Sequence, residues 1–521
     1  MTARKVMRDF SLWTSASGVP HIGRAQSTCM RMFWLIVFLA CLAMFTYQMY
    51  LLVESYLDFN VIVNTKLEFR SLGFPAVTIC NLNPYKKSQV SKVPVLNELL
   101  TGYASAVNRT LRSADDKWNF TDLNDTMAIQ ARARDHMMYY VAAMTDEQKK
   151  QISYKQEELI MGCSFDSAKA CTNDFTVTMD PTYGQCFTFN DVGKYTSKRA
   201  GPRYGLRVLL MTDLLEYLDI TESAGVRVTV TGQGEQVFPD AFGYNAAAGF
   251  TTSFGLQYVE TSRMGPPYGN CTEESLKTYS VEGCFRDCLQ DFLVEKCGCC
   301  DPAFRCKSTA KYCNNSKLSC ITSATGSGSK TAVVSFNAAA RCSCPELCEE
   351  QTYSMTVSTG NWPSGSFLPA FCDEYARANG DLAAAHAWCA QNTMMVEVFY
   401  ERMNYQSLSE SPAYGTEQLI SDFGGQIGLW IGVSVITMVE FIFFPCLLLA
   451  ACCCKKSKPV SAEYDEQDNE FDKIGVVRPT STAPAPGPLE KANPPNSTLV
   501  APYDPYTGIH PSPDMPPSVL R

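Results

Sequence analysis

The sequence has few charged residues and very few histidines for its length. Of its 521 residues, 19% are charged, four are histidine, and the formal net charge is −9. This composition excludes the clustered basic surface that a nucleic-acid-binding protein needs. The chain also lacks a nucleophile elbow, a phosphate-binding glycine loop and an HExxH element. We therefore expect no enzyme, no cofactor and no bound metal.

Charge is missing altogether from one long apolar run. Met32–Val53 contains 22 residues without a charge, which is enough to cross a bilayer core of about 30 Å at about 1.5 Å per residue. This run begins too late and is too long for a cleaved signal peptide. A second apolar run, Ile427–Cys454, is interrupted only by Glu440. The sequence therefore predicts two transmembrane helices, at residues 32–53 and 427–454.

The charges beside the two runs predict the topology. Basic residues precede the first run and follow the second, whereas the flanks between the runs are acidic. By the positive-inside rule both termini are cytoplasmic, as expected for a plasma-membrane protein. Residues 54–426 then form one exterior domain. Residues 1–31 form a short cytoplasmic segment, and residues 455–521, rich in Pro, Ser and Asn, form a tail predicted to be disordered.

Cysteine usage agrees with this topology. Eighteen of the 24 cysteines lie between Cys80 and Cys389, and an even number is typical of an oxidised exterior. Zinc is the competing interpretation of the dense block Cys271–Cys348, but no histidine lies near that block in the sequence, which favours disulfides. The same region carries five predicted glycosylation sites: Asn108, Asn119, Asn124, Asn270 and Asn314.

Hydrophobic periodicity divides the exterior domain into strands and helices. Residues 93–160 and 282–300 show helical patterns. Strand patterns occur at 59–69, 74–80, 174–179, 184–190, 205–212, 227–234 and 250–262, with one last strand over 394–408. In the cytoplasmic segment, Ser17–Ala25 contains two glycines and a proline, so we do not expect a simple helix there.

The second apolar run contains more polar residues than a membrane anchor needs. A carboxylate such as that of Glu440 costs about 2.5–3.5 kcal/mol at mid-membrane on insertion scales. Glycines at every fourth position favour close helix packing between copies of the run, but they do not explain Ser434 or Thr437. Gly432 and Ser434 would face the same side only in an extended backbone, whose free carbonyls are tolerated where they line water. The pattern therefore predicts a cation pathway in which carbonyls replace part of the hydration shell and Glu440 adds negative charge.

The chain resembles the degenerin/epithelial sodium channel (DEG/ENaC) superfamily over nearly its whole length. The resemblance rests on "FPAVTICNLN" (Phe74–Asn83), the cysteine block Cys271–Cys348, "FGGQIGLWIGVS" (Phe423–Ser434) and the two apolar runs. It implies an α+β membrane protein in which two transmembrane helices per subunit flank one large disulfide-rich extracellular α/β domain, with palm, finger, thumb, knuckle and β-ball regions. It also implies a homotrimer or heterotrimer that conducts Na⁺ and is blocked by amiloride.

The resemblance further implies roles for individual residues. The selectivity filter corresponds to Gly432, Val433 and Ser434. The gate region corresponds to Ser421, at the degenerin site, with Asp422 and Gly425, and Glu440 lies below it. The cytoplasmic His-Gly gating element of the family is Ser17–Gly18 here, so its imidazole is missing, although the segment is still expected to be re-entrant.

The family's cysteine order implies seven disulfides, and proximity in the sequence suggests two more. The seven pairs are Cys80–Cys186, Cys163–Cys171, Cys271–Cys348, Cys284–Cys344, Cys288–Cys342, Cys297–Cys320 and Cys299–Cys313. The two additional pairs are Cys300–Cys306 and Cys372–Cys389.

The activating stimulus is less closely defined by the sequence. Proton-sensing members carry a His-His pair where this chain has Phe59 and Asn60, which weakens proton sensing but leaves paired carboxylates as an alternative. The peptide-gated branch, opened by FMRFamide-like neuropeptides, is the first choice. Mechanical gating, constitutive opening and a receptor ectodomain without a pore are further alternatives. The finger is the expected peptide site, through Asp135, Met137, Met138, Tyr139, Tyr140, Asp146 and Glu147, whose alternative role is finger core and solvated surface.

Overall fold

The computed structural model describes Met7 and residues 10–167, 169–307, 310–326, 336–372 and 381–453. Apolar helices from the two ends of the chain lie together, and the residues between them form a disulfide-linked α/β domain. The predicted tail, residues 455–521, lies outside the described residues.

The helices alternate irregularly with the strands. The helices are α1 (Val19–Arg24), α2 (Thr28–Leu57), α3 (Lys87–Val90), α4 (Pro94–Val107), α5 (Thr126–Ala142), α6 (Asp146–Ile152), α7 (Gln156–Leu159), α8 (Pro239–Phe242), α9 (Val281–Cys297), α10 (Leu318–Thr325), α11 (Ala338–Arg341), α12 (Leu382–Asn392), α13 (Thr416–Trp430) and α14 (Val435–Cys453). The strands are β1 (Val61–Phe69), β2 (Leu72–Gly73), β3 (Ala76–Asn81), β4 (Ile160–Phe165), β5 (Lys169–Ala170), β6 (Phe175–Asp180), β7 (Gly184–Phe189), β8 (Thr196–Ser197), β9 (Leu206–Met211), β10 (Gly225–Thr231), β11 (Tyr244–Ala247), β12 (Phe250–Ser262), β13 (Cys271–Thr272), β14 (Glu346–Leu347), β15 (Glu349–Asn361), β16 (Thr393–Tyr400) and β17 (Asn404–Pro412).

Two sheets enclose the main hydrophobic core. The larger has eight strands in the order β1-β17-β12-β16-β9-β4-β5, with β15 paired to β12; β12 runs parallel to β16 and β17. The smaller is antiparallel, in the order β11-β10-β3-β7-β6. Phe74 lies between them, with its ring 5.0 Å from that of Phe165 and 6.2 Å from that of Tyr400. Burying each such ring stabilises the fold by about 1.5–3 kcal/mol.

The finger forms a second core, and its helical prediction is confirmed. Helices α4 to α7 occupy most of residues 94–159. Asp125 caps α5 by accepting hydrogen bonds from two backbone amides, and Thr145 forms a capping box with Gln148 at the start of α6. Apolar residues of α4 and α5, including Leu96, Leu99 and Ile129, are fully buried between these helices.

The thumb helix α9 is also confirmed. Ser280 caps its first turn, and Gly298, at a φ of 77°, ends it in the left-handed conformation that glycine adopts most readily. Cys284 and Cys288 lie one turn apart on this helix and bond to Cys344 and Cys342. These bonds fasten α9 to the segment that leads into β14.

Nine disulfides cross-link the domain, and they join the same pairs that the resemblance and proximity suggest. Within the described residues Cys29, Cys41 and Cys446 are free, and all three lie in the apolar helices. The five predicted glycosylation sites are all exposed.

Two expectations about secondary structure were wrong, and one strand was missed. The last predicted strand, residues 394–408, is two strands, β16 and β17, separated by residues 401–403. Strand β15 was missed because most of its residues are exposed, so no alternation of apolar and polar residues marks it. Ser17–Ala25 does contain a regular helix, α1, because Pro20 occupies one of the first two helical positions, where its missing amide is not needed.

Candidate functional site

One long apolar helix lies near the N-terminus, and the second apolar region is bent. Helix α2 extends four residues beyond each end of the predicted span and, by length and composition, could cross a membrane. The predicted span at residues 427–454 is not one continuous helix. Helix α13 begins at Thr416 and ends at Trp430, α14 begins at Val435, and the two axes differ by 77°. The predicted boundary at residue 427 therefore cuts through α13.

Gly432 forms the bend. Its φ is 67°, and its amide donates to the Gly428 carbonyl over 3.1 Å. Ile431 is the C-cap of α13, and a left-handed residue directly after the C-cap, bonded in this way, completes the αL motif. The sequence predicted a break that glycine permits, and the break is present. The local reason is a positive φ rather than an extended strand at this residue.

Ser434 starts the helix on the other side of the bend. Its hydroxyl accepts a hydrogen bond from the Thr437 amide at 3.3 Å, and the Thr437 hydroxyl accepts one from the Ser434 amide at 3.2 Å. This reciprocal pair is a capping box with threonine in place of glutamate. The sequence analysis explained Ser434 and Thr437 by contact with a cation. Helix capping is a second reason for the presence of these two hydroxyl residues. The Ser434 side chain remains exposed.

The N-terminal segment packs against α14, a contact that sequence reasoning missed. Thr14 donates its hydroxyl to Glu440 Oε2 at 3.0 Å, and the Ser15 amide donates to the same oxygen at 2.8 Å. Ser17 lies so close to Gly432 that an ideal Cβ on that glycine would come 2.1 Å from Ser17 Oγ. The contact joins residues that are 426 positions apart (Thr14 and Glu440) and 425 positions apart (Ser15 and Glu440) in the sequence. The one available signal was the mid-membrane carboxylate itself, which requires hydrogen-bond donors.

The gate candidates lie on α13. Ser421 and Gly425 are exposed, and Asp422 Oδ2 accepts a hydrogen bond from the Tyr414 hydroxyl at 2.7 Å. Partial desolvation, together with this bond to a carboxylate, raises the pKa of Tyr414 to about 12. Further along α13, the Trp430 indole reaches Gln48 of α2 at 3.4 Å. These contacts connect the base of the domain to the helix that carries the gate candidates.

Phe59 and Asn60, which occupy the positions of the acid sensor's histidines, make structural contacts in this chain. Phe59 packs edge-on against Tyr268, with ring centroids 5.3 Å apart, and the Asn60 carbonyl accepts the Ala413 amide at 2.8 Å. Phe59 thus connects the end of α2 to the base of the thumb, and Asn60 connects it to the end of β17.

The structure does not gather the predicted peptide-binding residues into one exposed patch. Met137 and Tyr139 are each only 3% exposed, in the finger core and in a finger–thumb core respectively. Met138 packs against the core around Tyr139, while Tyr140 packs against the finger core and accepts a hydrogen bond from the Trp118 indole at 3.2 Å. The reason is helical geometry, because successive residues of α5 point about 100° apart.

The acidic candidates fall into two groups. Asp146 and Glu147 lie in the first turn of α6, where a carboxylate stabilises the helix dipole. Asp135 lies on α5 toward the thumb. Although part of its side chain reaches solvent, desolvation raises the pKa of its carboxyl, and the charge of Asp301 adds to the rise. Burial likewise raises the pKa of Asp301.

The comparisons with known proteins agree with this architecture. Residues 10–444 match the model of a family described as amiloride-sensitive sodium channel. The degenerin-like protein asic-2 of Caenorhabditis elegans is 30% identical over 89% of this chain and 90% of its own length. Degenerin-like protein asic-1 of the same organism is 38% identical over 69% of this chain but 45% of its own length. Degenerin mec-10, also from C. elegans, is 25% identical over 84% of this chain and 83% of its own length.

A disulfide-rich α/β domain joined to apolar helices, with a broken polar segment in the second, defines a membrane protein of the ion-channel class. The chain belongs to the DEG/ENaC superfamily, as the family match and the degenerin relatives show.

Proposed function

We propose that this chain is one subunit of a trimeric, amiloride-sensitive, sodium-selective channel of the plasma membrane. Helix α2 and the bent pair α13–α14 are its two membrane spans, with both termini cytoplasmic and residues 54–426 outside. The supporting observation is the bend at residues 431–434, which leaves non-helical backbone beside Ser434, Thr437 and Glu440. Such backbone at membrane depth is tolerated where it lines water or is covered by protein, and oxygen-lined constrictions select cations.

Expression of the full chain in oocytes tests the proposal. We expect an inward current carried by Na⁺ that amiloride blocks, with a reversal potential that moves toward negative voltage when external Na⁺ is replaced by K⁺. Surface labelling of the same cells provides the control for expression. A chain that reaches the surface but passes no current under peptide, acid or mechanical stimulation would contradict the channel assignment.

The proposed stimulus is a short amidated peptide of the FMRFamide type. Its support is indirect: the acid-sensor histidines are replaced by Phe59 and Asn60, and the finger presents exposed carboxylates at Asp135, Asp146 and Glu147. A carboxylate can bind the arginine of such a peptide through charge-assisted hydrogen bonds. Met137 and Tyr139 are too buried to contact a peptide in this conformation, so the proposal uses the acidic residues with Met138 and Tyr140.

Proton gating is a second candidate because Asp135 of α5 lies within electrostatic range of Asp301, the residue that follows Cys300. Desolvation raises the pKa of both carboxyls, and the charge of Asp301 raises the pKa of Asp135 further, so ionising them opposes the packing of α5 against the thumb. A raised folded-state pKa on a carboxyl means that this packing gains stability as pH falls through the raised values and loses it above them.

Replacing both carboxyls with amides tests the second candidate. If protons open the channel through this pair, the double variant Asp135→Asn, Asp301→Asn should conduct at neutral pH and lose most of its response to acid, because neutral amides imitate the protonated carboxyls at every pH. The measurement is peak current against pH at matched surface expression. Asp146→Asn, at a side chain that is 91% exposed, is the matched control. An unchanged acid response in the double variant would exclude this pair as the sensor.

A further inference from the structure

The nine disulfides differ in how well the protein shields them from solvent. In six of them at least one of the two cysteines is buried. In the other three both cysteines are part-exposed: Cys271–Cys348, Cys284–Cys344 and Cys288–Cys342. Burial therefore divides the disulfides into six shielded bonds and three that a molecule in solution can reach.

This shielding affects how fast a disulfide exchanges with an external thiol. A thiolate attacks one sulfur of the bond, and the other sulfur leaves as a thiolate. A buried cysteine is poorly suited to either role. An attacking thiolate cannot reach it, and apolar surroundings raise the pKa of its thiol, which makes it a poor leaving group. The three part-exposed bonds lack this protection, so we expect them to be reduced first.

Two of the three accessible bonds line one cleft on the thumb. The cleft has a volume of about 430 Å³, and its wall includes both cysteines of Cys284–Cys344 and of Cys288–Cys342. Ligand pockets begin at about 300 Å³, so a small dithiol fits. Charged residues of both signs also line the cleft: Asp287, Asp291, Lys307 and Arg341. Cys284 lies in the first turn of α9, where the helix dipole stabilises a thiolate and so favours departure of its sulfur.

All three accessible bonds hold the same short segment, residues 342–348. Its three cysteines are bonded to two cysteines of α9 and to Cys271 of β13. The segment leads directly into β15, which pairs with β12 along its whole length. Noncovalent support is smaller, because β13 and β14 pair over only two residues each, and Arg263 adds ion pairs to Glu346 and Glu350. The cross-links between the thumb helix α9 and the start of β15 are therefore ones that a reductant can reach.

We propose that residues 342–348 form a redox-controlled joint between α9 and β15. A thiolate of an exterior dithiol attacks one sulfur of Cys284–Cys344 and forms a mixed disulfide, while the other sulfur leaves as a thiolate and takes a proton from water. The second thiol of the reductant then attacks the mixed disulfide. The dithiol is thereby oxidised to a cyclic disulfide, and both cysteines are reduced to thiols.

Reduction of the other two accessible bonds by the same steps frees the segment from α9 and β13. The six shielded disulfides stay closed, so the rest of the exterior domain keeps its cross-links. The inference uses the proposed exterior position of residues 54–426, but it does not depend on ion conduction.

Thiol labelling in two steps tests the joint in membranes that contain the full chain. Light N-ethylmaleimide first blocks the six cysteines outside the disulfides. Dithiothreitol at low concentration and then heavy N-ethylmaleimide follow, and mass spectrometry measures the heavy label at each cysteine. We expect heavy label at the six cysteines of the accessible bonds, beginning with Cys284 and Cys344. Equal reduction of all nine bonds, earlier reduction of a shielded bond, or no reduction before the chain is denatured would overturn the proposal.

Trypsin measures whether reduction frees the segment. Arg341 directly precedes Cys342, and its side chain is 45% exposed. Cleavage after Arg341 should become several times faster once the three bonds are reduced and blocked, because proteases cut chain that is free to leave its neighbours. Arg199, exposed in the connection after β8, is the control site, where the rate should not change. If cleavage after Arg341 stays slow in the reduced chain, noncovalent contacts hold the segment and it is not a redox-controlled joint.

Two double variants provide a matched comparison. Cys284→Ser with Cys344→Ser removes one accessible bond, so fast cleavage after Arg341 should require less dithiothreitol than in the parent chain. Cys372→Ser with Cys389→Ser removes a shielded bond, and the dithiothreitol requirement should stay the same. Equal requirements in all three proteins would contradict the joint. The labelling experiment uses the unsubstituted chain, so it decides the question even if a variant fails to fold.

Discussion

Replacing Gly432 with alanine is expected to abolish most of the Na⁺ current while the protein still reaches the cell surface. The substitution is unfavourable for two reasons, backbone strain and a steric clash. A φ of 67° lies in the left-handed region, which disfavours residues with a Cβ by about 1–2 kcal/mol. The added methyl group would also meet Ser17, whose Oγ lies 2.1 Å from the ideal Cβ position. Either the bend or the N-terminal segment must then move.

Two further variants separate these costs. Gly428→Ala, one turn earlier, adds the same methyl group where nothing of the same chain lies within 4 Å and φ is not positive, so any loss of current there measures packing between subunits and not strain at the bend. Adding Ser17→Gly to Gly432→Ala removes the clash but not the backbone cost, so it should restore part of the current. Whole-cell current and reversal potential, normalised to surface labelling, measure all three.

The outcome at the bend decides whether it is the filter. If Gly432→Ala and a bulkier residue at Ser434 both leave the reversal potential unchanged at normal surface expression, the stretch 432–434 does not select ions. Loss of current with Gly428→Ala as well would instead indicate that α13 tolerates no added volume anywhere.

Modification of Ser421→Cys with a bulky, membrane-impermeant thiol reagent is expected to hold the channel open. Ser421 is exposed on α13, two turns before the helix ends at Trp430. In the proposed trimer we expect the α13 helices to approach one another when the channel closes, and an enlarged side chain at the degenerin position would prevent that approach. The expected result is a sustained, amiloride-sensitive current that persists after the stimulus is removed.

The neighbouring residue provides the control. Ile420 is 71% exposed, and on a helix its side chain points about 100° away from that of Ser421, so modified Ile420→Cys should still close. The unsubstituted chain controls for the six cysteines outside the nine disulfides. If modified Ser421→Cys closes as fast as the unmodified channel, this residue does not lie in the closed contact.

The amino-acid sequence determined the elements whose cause is local. The charge-free run Met32–Val53 predicted the core of α2 because only length and apolarity are needed to form such a helix. The 3.6-residue periodicity predicted the finger helices and α9. Gly432 predicted the break, because glycine is the residue that readily adopts a positive φ.

The tertiary structure alone decided the features that depend on distant partners. Strand β15 exists because β12 offers it a hydrogen-bonding edge over 13 residues, and its own exposed side chains give no sign of this. The sequence places Met137 and Tyr139 in one candidate binding cluster, but on α5 their side chains point in different directions and are buried in two different cores. Glu440 was recognisable as costly from the sequence, yet its donors, Thr14 and Ser15, lie more than 400 residues away. No local pattern encodes that pairing, because it forms only when the two ends of the chain are packed together.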